Sequence, residues 1–171
     1  LAVFNSYDDK MNLLEITGRG NDKNSFIWSY NNNWPIAKVI NAAQTDISYT
    51  SFESDGKGNW VFTGTPTSDN SAPTGKMSYT LNGSNDISKQ GLNNTINYIV
   101  SYWTKNSTAF NISGTQSGYP VAGKIVNNWK YFEHKISGQT SVTINGSGSI
   151  DELRLYPESA RMTTYTYEPL I

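Results

Sequence analysis

The chain has 171 residues, enough for one domain with a sizeable core, and a formal net charge of -1 from 13 basic and 14 acidic side chains. No run of Lys or Arg marks a nucleic-acid or anionic-membrane footprint, and no window approaches the roughly 18 apolar residues of a membrane span. Cysteine is absent, which excludes disulfides and thiolate metal sites.

Helical periodicity is nearly missing, because Gly, Pro or clustered Asn interrupt every stretch long enough to carry it. Candidate strands recur instead between turn signals. In chain order they are "SFIWSY", "DISYTSFE", "NWVFTG", "KMSYTL", "NYIVSYW", "AFNISG", "WKYFEHKI", "SVTING" and "IDELRLYP". Short strands at such spacing predict an all-β fold, a sandwich or a barrel, with a short β-rich N-terminal segment. A change of character near Asp46 divides the chain into residues 1–45, a main module of 46–160, and a final piece of 161–171.

Alternation within Thr95 to Lys105 places Ile96, Tyr98, Val100 and Tyr102 on a core face and Asn97, Ile99, Ser101 and Trp103 opposite. Trp103 is therefore the first candidate platform for a sugar ring, with Tyr119, Trp129 and Tyr131 behind it, because the C–H face of a pyranose packs on an aromatic plane. The plainer alternative is that these rings are core residues. Asp151 and Glu152 are strand neighbours and are expected to point to opposite faces, so they cannot form an acid and base pair across one glycosidic bond. By the same alternation Asp151 is grouped with Leu153 and Leu155, and Glu152 with Arg154 and Tyr156. Arg154 suits a cross-strand surface ion pair, the plainer reading, or a hydrogen bond to a sugar hydroxyl. Glu133 is the spare acid on an aromatic strand, and His134, the sole histidine, has no nucleophile elbow to serve.

The stretch Tyr7-Asp8-Asp9-Lys10-Met11-Asn12-Leu13-Leu14-Glu15 resembles a YD repeat, with Met11 where a Gly is usual. "FIWSYNNNWPIAKVINA" and "IDELRLYPESARMTTYTYEPL" are similar to the flanks of a module inserted in the large YD-repeat, RHS-like surface proteins of Bacteroidetes. In that resemblance, Tyr167-Glu168-Pro169-Leu170 would start the next repeat. The pieces "SFESDGKGNW", "SAPTGKMSYTL", "NYIVSYWTK" and "GSIDELRLYP" resemble, in order, those of the jelly-roll, galactose-binding-like carbohydrate-binding modules.

The resemblance implies a two-sheet antiparallel β-sandwich, a jelly roll, acting as a non-catalytic binder of glycan or polysaccharide, secreted or cell-surface, monomeric and carried in a larger parent chain. It also implies a structural calcium ion held by Glu53 and Asp151, with carbonyls from Thr74 to Lys76; calcium takes six to eight such oxygens. The alternative is that Asp151 caps a turn and Glu53 is a solvated strand end. The rival function is a structural or adhesive spacer without a glycan site.

Overall fold

The computed structural model describes residues 1–167. Apart from two short 3-10 turns, at Arg19–Asn21 and Gln44–Asp46, its regular elements are all strands. The expected all-β antiparallel sandwich is the architecture found.

Four N-terminal strands, β1 (Val3–Tyr7), β2 (Leu13–Thr17), β3 (Lys23–Ser29) and β4 (Trp34–Ile40), form a meander. The chain then leaves this sheet and builds the sandwich. One sandwich sheet combines β5 (Ser48–Thr50), β6 (Thr67–Ser68), β7 (Met77–Asn82), β9 (Tyr98–Thr104), β11 (Val121–Val126), β12 (Trp129–Ile136) and β14 (Ser147–Pro157). The facing sheet holds β8 (Ile87–Gln90), β10 (Asn111–Ile112) and β13 (Ser141–Asn145). Finally β15 (Arg161–Thr164) returns to the first sheet and pairs with β4, Arg161 opposite Ile40 and Thr164 opposite Ala37. Residues 161–164, assigned by resemblance to a following repeat, thus extend the same sheet as the N-terminal segment. Glu168, Pro169 and Leu170 of the proposed next repeat lie outside the described residues.

Two apolar cores result. The first lies inside the sandwich, where inward residues of β9 (Tyr98, Val100, Tyr102), β12 (Phe132, Ile136) and β14 (Ile150, Leu153, Leu155) meet Ile87, Ile112, Val142 and Ile144 of the facing sheet. A fully buried Leu such as Leu153 contributes roughly 2 to 3 kcal/mol by removal of its surface from water. The second core, smaller, gathers Ile27, Ile36, Ala37, Val39, Ala42, Ile47 and Tyr49, with Tyr156 and Met162 packed against it. It fills the space between the five-stranded sheet and the outward face of the large sandwich sheet. That outward face is consequently part covered and part open.

His134 points into the sandwich core, where its Nε2 meets Tyr102 Oη at 3.1 Å and its Nδ1 meets Thr115 Oγ1 at 3.0 Å. It is out of reach of any ligand on the outer face.

Candidate functional site

The outer face of the large sheet is set by strand alternation. In β9 the odd positions Ile99, Ser101 and Trp103 point outward; in β12 the outward positions are Tyr131, Glu133 and Lys135, all half-buried. Tyr131 is the direct cross-strand partner of Trp103. Their ring centroids lie 5.5 Å apart at 64°, an edge-to-face pair of the kind that adds about 0.5 to 1.5 kcal/mol beyond area burial. Tyr131 Oη donates to Glu133 Oε2 at 3.1 Å, and the Lys124 ammonium sits 5.8 Å from the Trp103 ring centroid. Burial, reinforced by Glu133, pushes the Tyr131 hydroxyl up to about 12, so it remains a donor at neutral pH.

The other aromatic candidates are not part of this pair. Trp129 lies on the same side of β12 as Tyr131 but is fully buried, its Nε1 donating to Ser71 Oγ at 3.2 Å. Lys105 caps its ring at 5.1 Å while holding Asp69 at 2.6 Å. A ring sealed beneath residues 69–71 cannot meet a sugar unless that loop moves. Tyr119, half-buried, sits on the connection between β10 and β11, immediately before Pro120. Of the four rings, the structure brings together only Trp103 and Tyr131.

Next to Trp103, β14 departs from the expected alternation. Asp151 pairs with Trp103 and Arg154 with Ser101, so three residues of β14 span two of β9. This is a β-bulge, and its extra residue, Glu152, takes a left-handed φ of 54°. Such a φ costs a non-glycine residue on the order of 1 to 2 kcal/mol. The extra residue turns Asp151 onto the outer side with Trp103, away from Leu153 and Leu155, which correct alternation without a bulge would have made its neighbours. The bulge also overturns the expectation that the Asp151 and Glu152 carboxylates diverge. Thr74 Oγ1 lies 3.3 Å from Asp151 Oδ2 and 3.1 Å from Glu152 Oε1, so one hydroxyl bridges both.

The two carboxylates are nonetheless differently placed. Glu152 forms an ion pair with Arg154 at 2.5 Å and accepts from Tyr49 Oη at 2.5 Å. Arg154 also donates to Thr164 Oγ1 of β15 at 2.9 Å, tying the sandwich to the five-stranded sheet. Burial, together with the desolvation-amplified charge of Glu152, pushes Tyr49 far above the ordinary phenol range. Asp151 accepts from Thr74 N and from Glu152 N, at 3.3 and 2.7 Å. Burial, then the neighbouring Glu152 charge, raises its carboxyl to about 8. Arg154 is thus committed to an ion pair with a buried acid of its own strand, where the sequence suggests a cross-strand pair at the surface.

Glu53, the other expected ion ligand, reaches the same stretch of chain. Its Oε1 accepts from Lys76 N at 2.9 Å and Met77 N at 2.5 Å. Gly75 makes that approach possible: at φ +61° a Cβ there would stand 2.2 Å from the Glu53 carboxyl carbon. The residues therefore match a calcium clasp in part. Glu53 and Asp151 converge on residues 74–77, and two carboxyl groups, Asp151 and Glu152, are buried beside one cation, Arg154. The segment, however, meets both carboxylates with N–H groups, so holding an ion requires it to present its carbonyls instead. Lys76 takes part through its backbone. Among the described residues no cluster of three or more His, Cys, Asp or Glu side chains is placed to hold a metal.

No protein-family model matches the chain, and neither a curated protein nor a solved structure matches it.

Two neighbours of these groups, Lys124 and Tyr49, escape a sequence reading, and Thr74 is expected there only as a carbonyl source. Lys124 lies on β11, whose "VAGKIV" is fully exposed and carries a mid-strand glycine that hides the strand signal. Tyr49 and Thr74 join Glu152 from 103 and 78 residues away in the chain, and no local pattern marks such a contact.

Proposed function

We propose that the chain is a non-catalytic carbohydrate-binding module of a secreted or cell-surface bacterial protein, with the Trp103 and Tyr131 pair as its sugar platform. The observation that supports this most is the half-buried, edge-to-face pair held in fixed register on an outer face, with Glu133 and Lys124 beside it. A ring plane flanked by groups that can accept and donate is the chemistry a pyranose requires. Asp151 and Glu152 have no role as an acid and base pair in this reading, because both are buried and already bonded to Thr74.

The test is retention on insoluble polysaccharides, preceded by a glycan-array screen. Trp103→Ala abolishes retention while lowering the melting temperature by no more than the few degrees that the ring pair contributes; a fall in stability with no wild-type retention assigns Trp103 to structure alone.

A second reading, a structural or adhesive spacer, is favoured by one specific observation. The sandwich is inserted between two hydrogen-bonded neighbours of another sheet, β4 and β15, and that sheet covers part of the outer face. Calcium belongs to either reading as a clasp joining Glu53, Asp151 and the backbone of Thr74 to Lys76. A melting temperature that falls on chelation supports the ion, and one indifferent to chelator removes it.

A further inference from the structure

Another concave surface lies where the N-terminal sheet meets the loop after β5. It is a cleft of about 300 Å³, lined by Asp8, Trp28, Asn32, Gln44 and Asn59 over Ile27, with residues 56–58 as one wall.

Both walls are fixed by hydrogen bonds that need no ligand. Ser29 Oγ donates to Ser54 Oγ at 2.7 Å and accepts from Gly56 N at 2.9 Å. Asp55 accepts from Asn31 N through both oxygens, at 3.0 and 3.2 Å. Tyr49 N donates to Gly58 O at 2.9 Å. At Gly58, φ +59°, a Cβ would stand 1.5 Å from Tyr49 O, so glycine alone can bring this wall so close to β5. Opposite, Asp8 closes its own turn by accepting from Lys10 N, Asn12 N and Asn12 Nδ2 at 2.9, 2.8 and 2.9 Å. A cleft with such walls binds without first ordering a loop.

The lining groups differ in what they have left to offer. Trp28 Nε1 donates to Leu13 O at 2.9 Å, which fixes the half-buried indole and leaves its ring for contact. Lys57 at the rim is turned away, its Nζ 2.6 Å from Phe62 O and 5.2 Å from the Phe62 ring centroid. Among the described residues, the side-chain amides of Asn32 and Gln44 have no hydrogen-bond partner. Asn59 spends its Nδ2 on Ile47 O at 3.0 Å and keeps its Oδ1. The cleft therefore offers one apolar ring, amide donors and acceptors, and one carboxylate whose oxygens are already taken up locally.

That inventory selects against ions. An anion meets Asp8, while the nearby Lys10 and Lys57 ammonium groups are spent on the Asn31 and Phe62 carbonyls, and a cation finds a carboxylate whose acceptor sites are largely filled. A polyhydroxylated neutral molecule suits it, since hydroxyls both donate and accept and a sugar's C–H face packs on indole.

We propose that this cleft binds a neutral saccharide of one or two rings, stacked on Trp28 and hydrogen-bonded by Asn32, Gln44 and Asn59. Its volume is at the lower end of small-molecule sites, about 300 to 1,000 Å³, which fits a chain end or short oligosaccharide. The site is independent of Trp103 and stands whether or not that platform binds.

The experiment follows the Trp28 indole N–H resonance, assigned with Trp28→Phe, during titration of the whole chain. The probes are glucose, galactose, mannose, N-acetylglucosamine, cellobiose and lactose, each to about 20 mM, well above the ~1 mM dissociation constant of a weak site. At least one sugar shifts the resonance saturably. Gln44→Ala, which keeps the backbone amide of residue 44 in place, weakens that binding about three- to tenfold, the worth of one hydrogen bond. Trp103→Ala leaves it unchanged, which separates this site from the other platform. The proposal is overturned if none of the six sugars moves Trp28. It is overturned equally if Gln44→Ala binds as tightly as the parent, or if glucuronate or glucosamine binds in place of the neutral sugars.

Discussion

The space between the two sandwich sheets is filled by large apolar side chains from many strands. The space beneath the five-stranded sheet holds a smaller set, Ile27 to Tyr49, beside the buried ion pair of Glu152 and Arg154. Removing part of the first leaves a void whose cost scales with its size. Removing Arg154 from the second leaves the Glu152 charge without its partner, so the loss there follows electrostatics more than volume. The sandwich is thus held by packing, and its attachment to the neighbouring sheet by a smaller apolar core together with a few directional contacts.

The sharpest way to separate the two is by substitution in each. Leu153→Ala, in the fully buried sandwich core, lowers stability by about 4 kcal/mol, read as a lower urea midpoint.

Acid breaks the same core from within. Burial of His134 holds its imidazole at about 4, below the ordinary 6.5. Above pH 6.5 the ring is neutral in both the folded and unfolded chain. As pH falls from about 6.5 to 4 the unfolded chain takes up the proton first, so stability is lost across that window, on the order of 3 kcal/mol by pH 4. Urea melts at several pH values flatten over this range in His134→Gln; an unchanged slope assigns the acid sensitivity elsewhere.

Arg154→Ala acts on the junction. It strands the buried Glu152 carboxylate and costs about 2 kcal/mol, below the figure for a fully buried pair because the Arg154 side chain is 34% exposed. Adding Glu152→Gln recovers part of the loss, as a double-mutant cycle measures. The smallest effect is expected at Lys105→Ala, over Trp129, which removes a surface ion pair with Asp69 worth less than about 1 kcal/mol and weakened by salt.

Strands buried on one face were legible in sequence. "WKYFEHKI" coincides end to end with β12, and alternation in β9 correctly sends Tyr98, Val100 and Tyr102 inward. Strands without an apolar rhythm were not, as with "ISKQ" of β8 and the fully exposed β11. "NWVFTG" reads as a strand but makes only an isolated bridge, Val61 to Ser88, because Trp60 and Phe62 are drawn into the core from a loop. At the candidate site, the outward position of Trp103 follows from alternation and Tyr131 only from its aromatic type, whereas Trp129 fails because a loop from 58 residues away covers it. The bulge at Glu152 has no marker at all: Glu carries no intrinsic preference for a left-handed φ, and tertiary contacts with Tyr49, Thr74 and Arg154 impose it.

The return of β15 to β4 has a mechanical consequence. The chain enters the sandwich after Ile40 and leaves it before Arg161, and Asn41 Nδ2 donates to Ser159 O at 3.1 Å across that neck. Tension carried along the five-stranded sheet must first unzip the four β4 and β15 pairs before any force passes into the sandwich. Until then the insert hangs outside the load path, like a tool on a loop of rope whose two ends are clamped together.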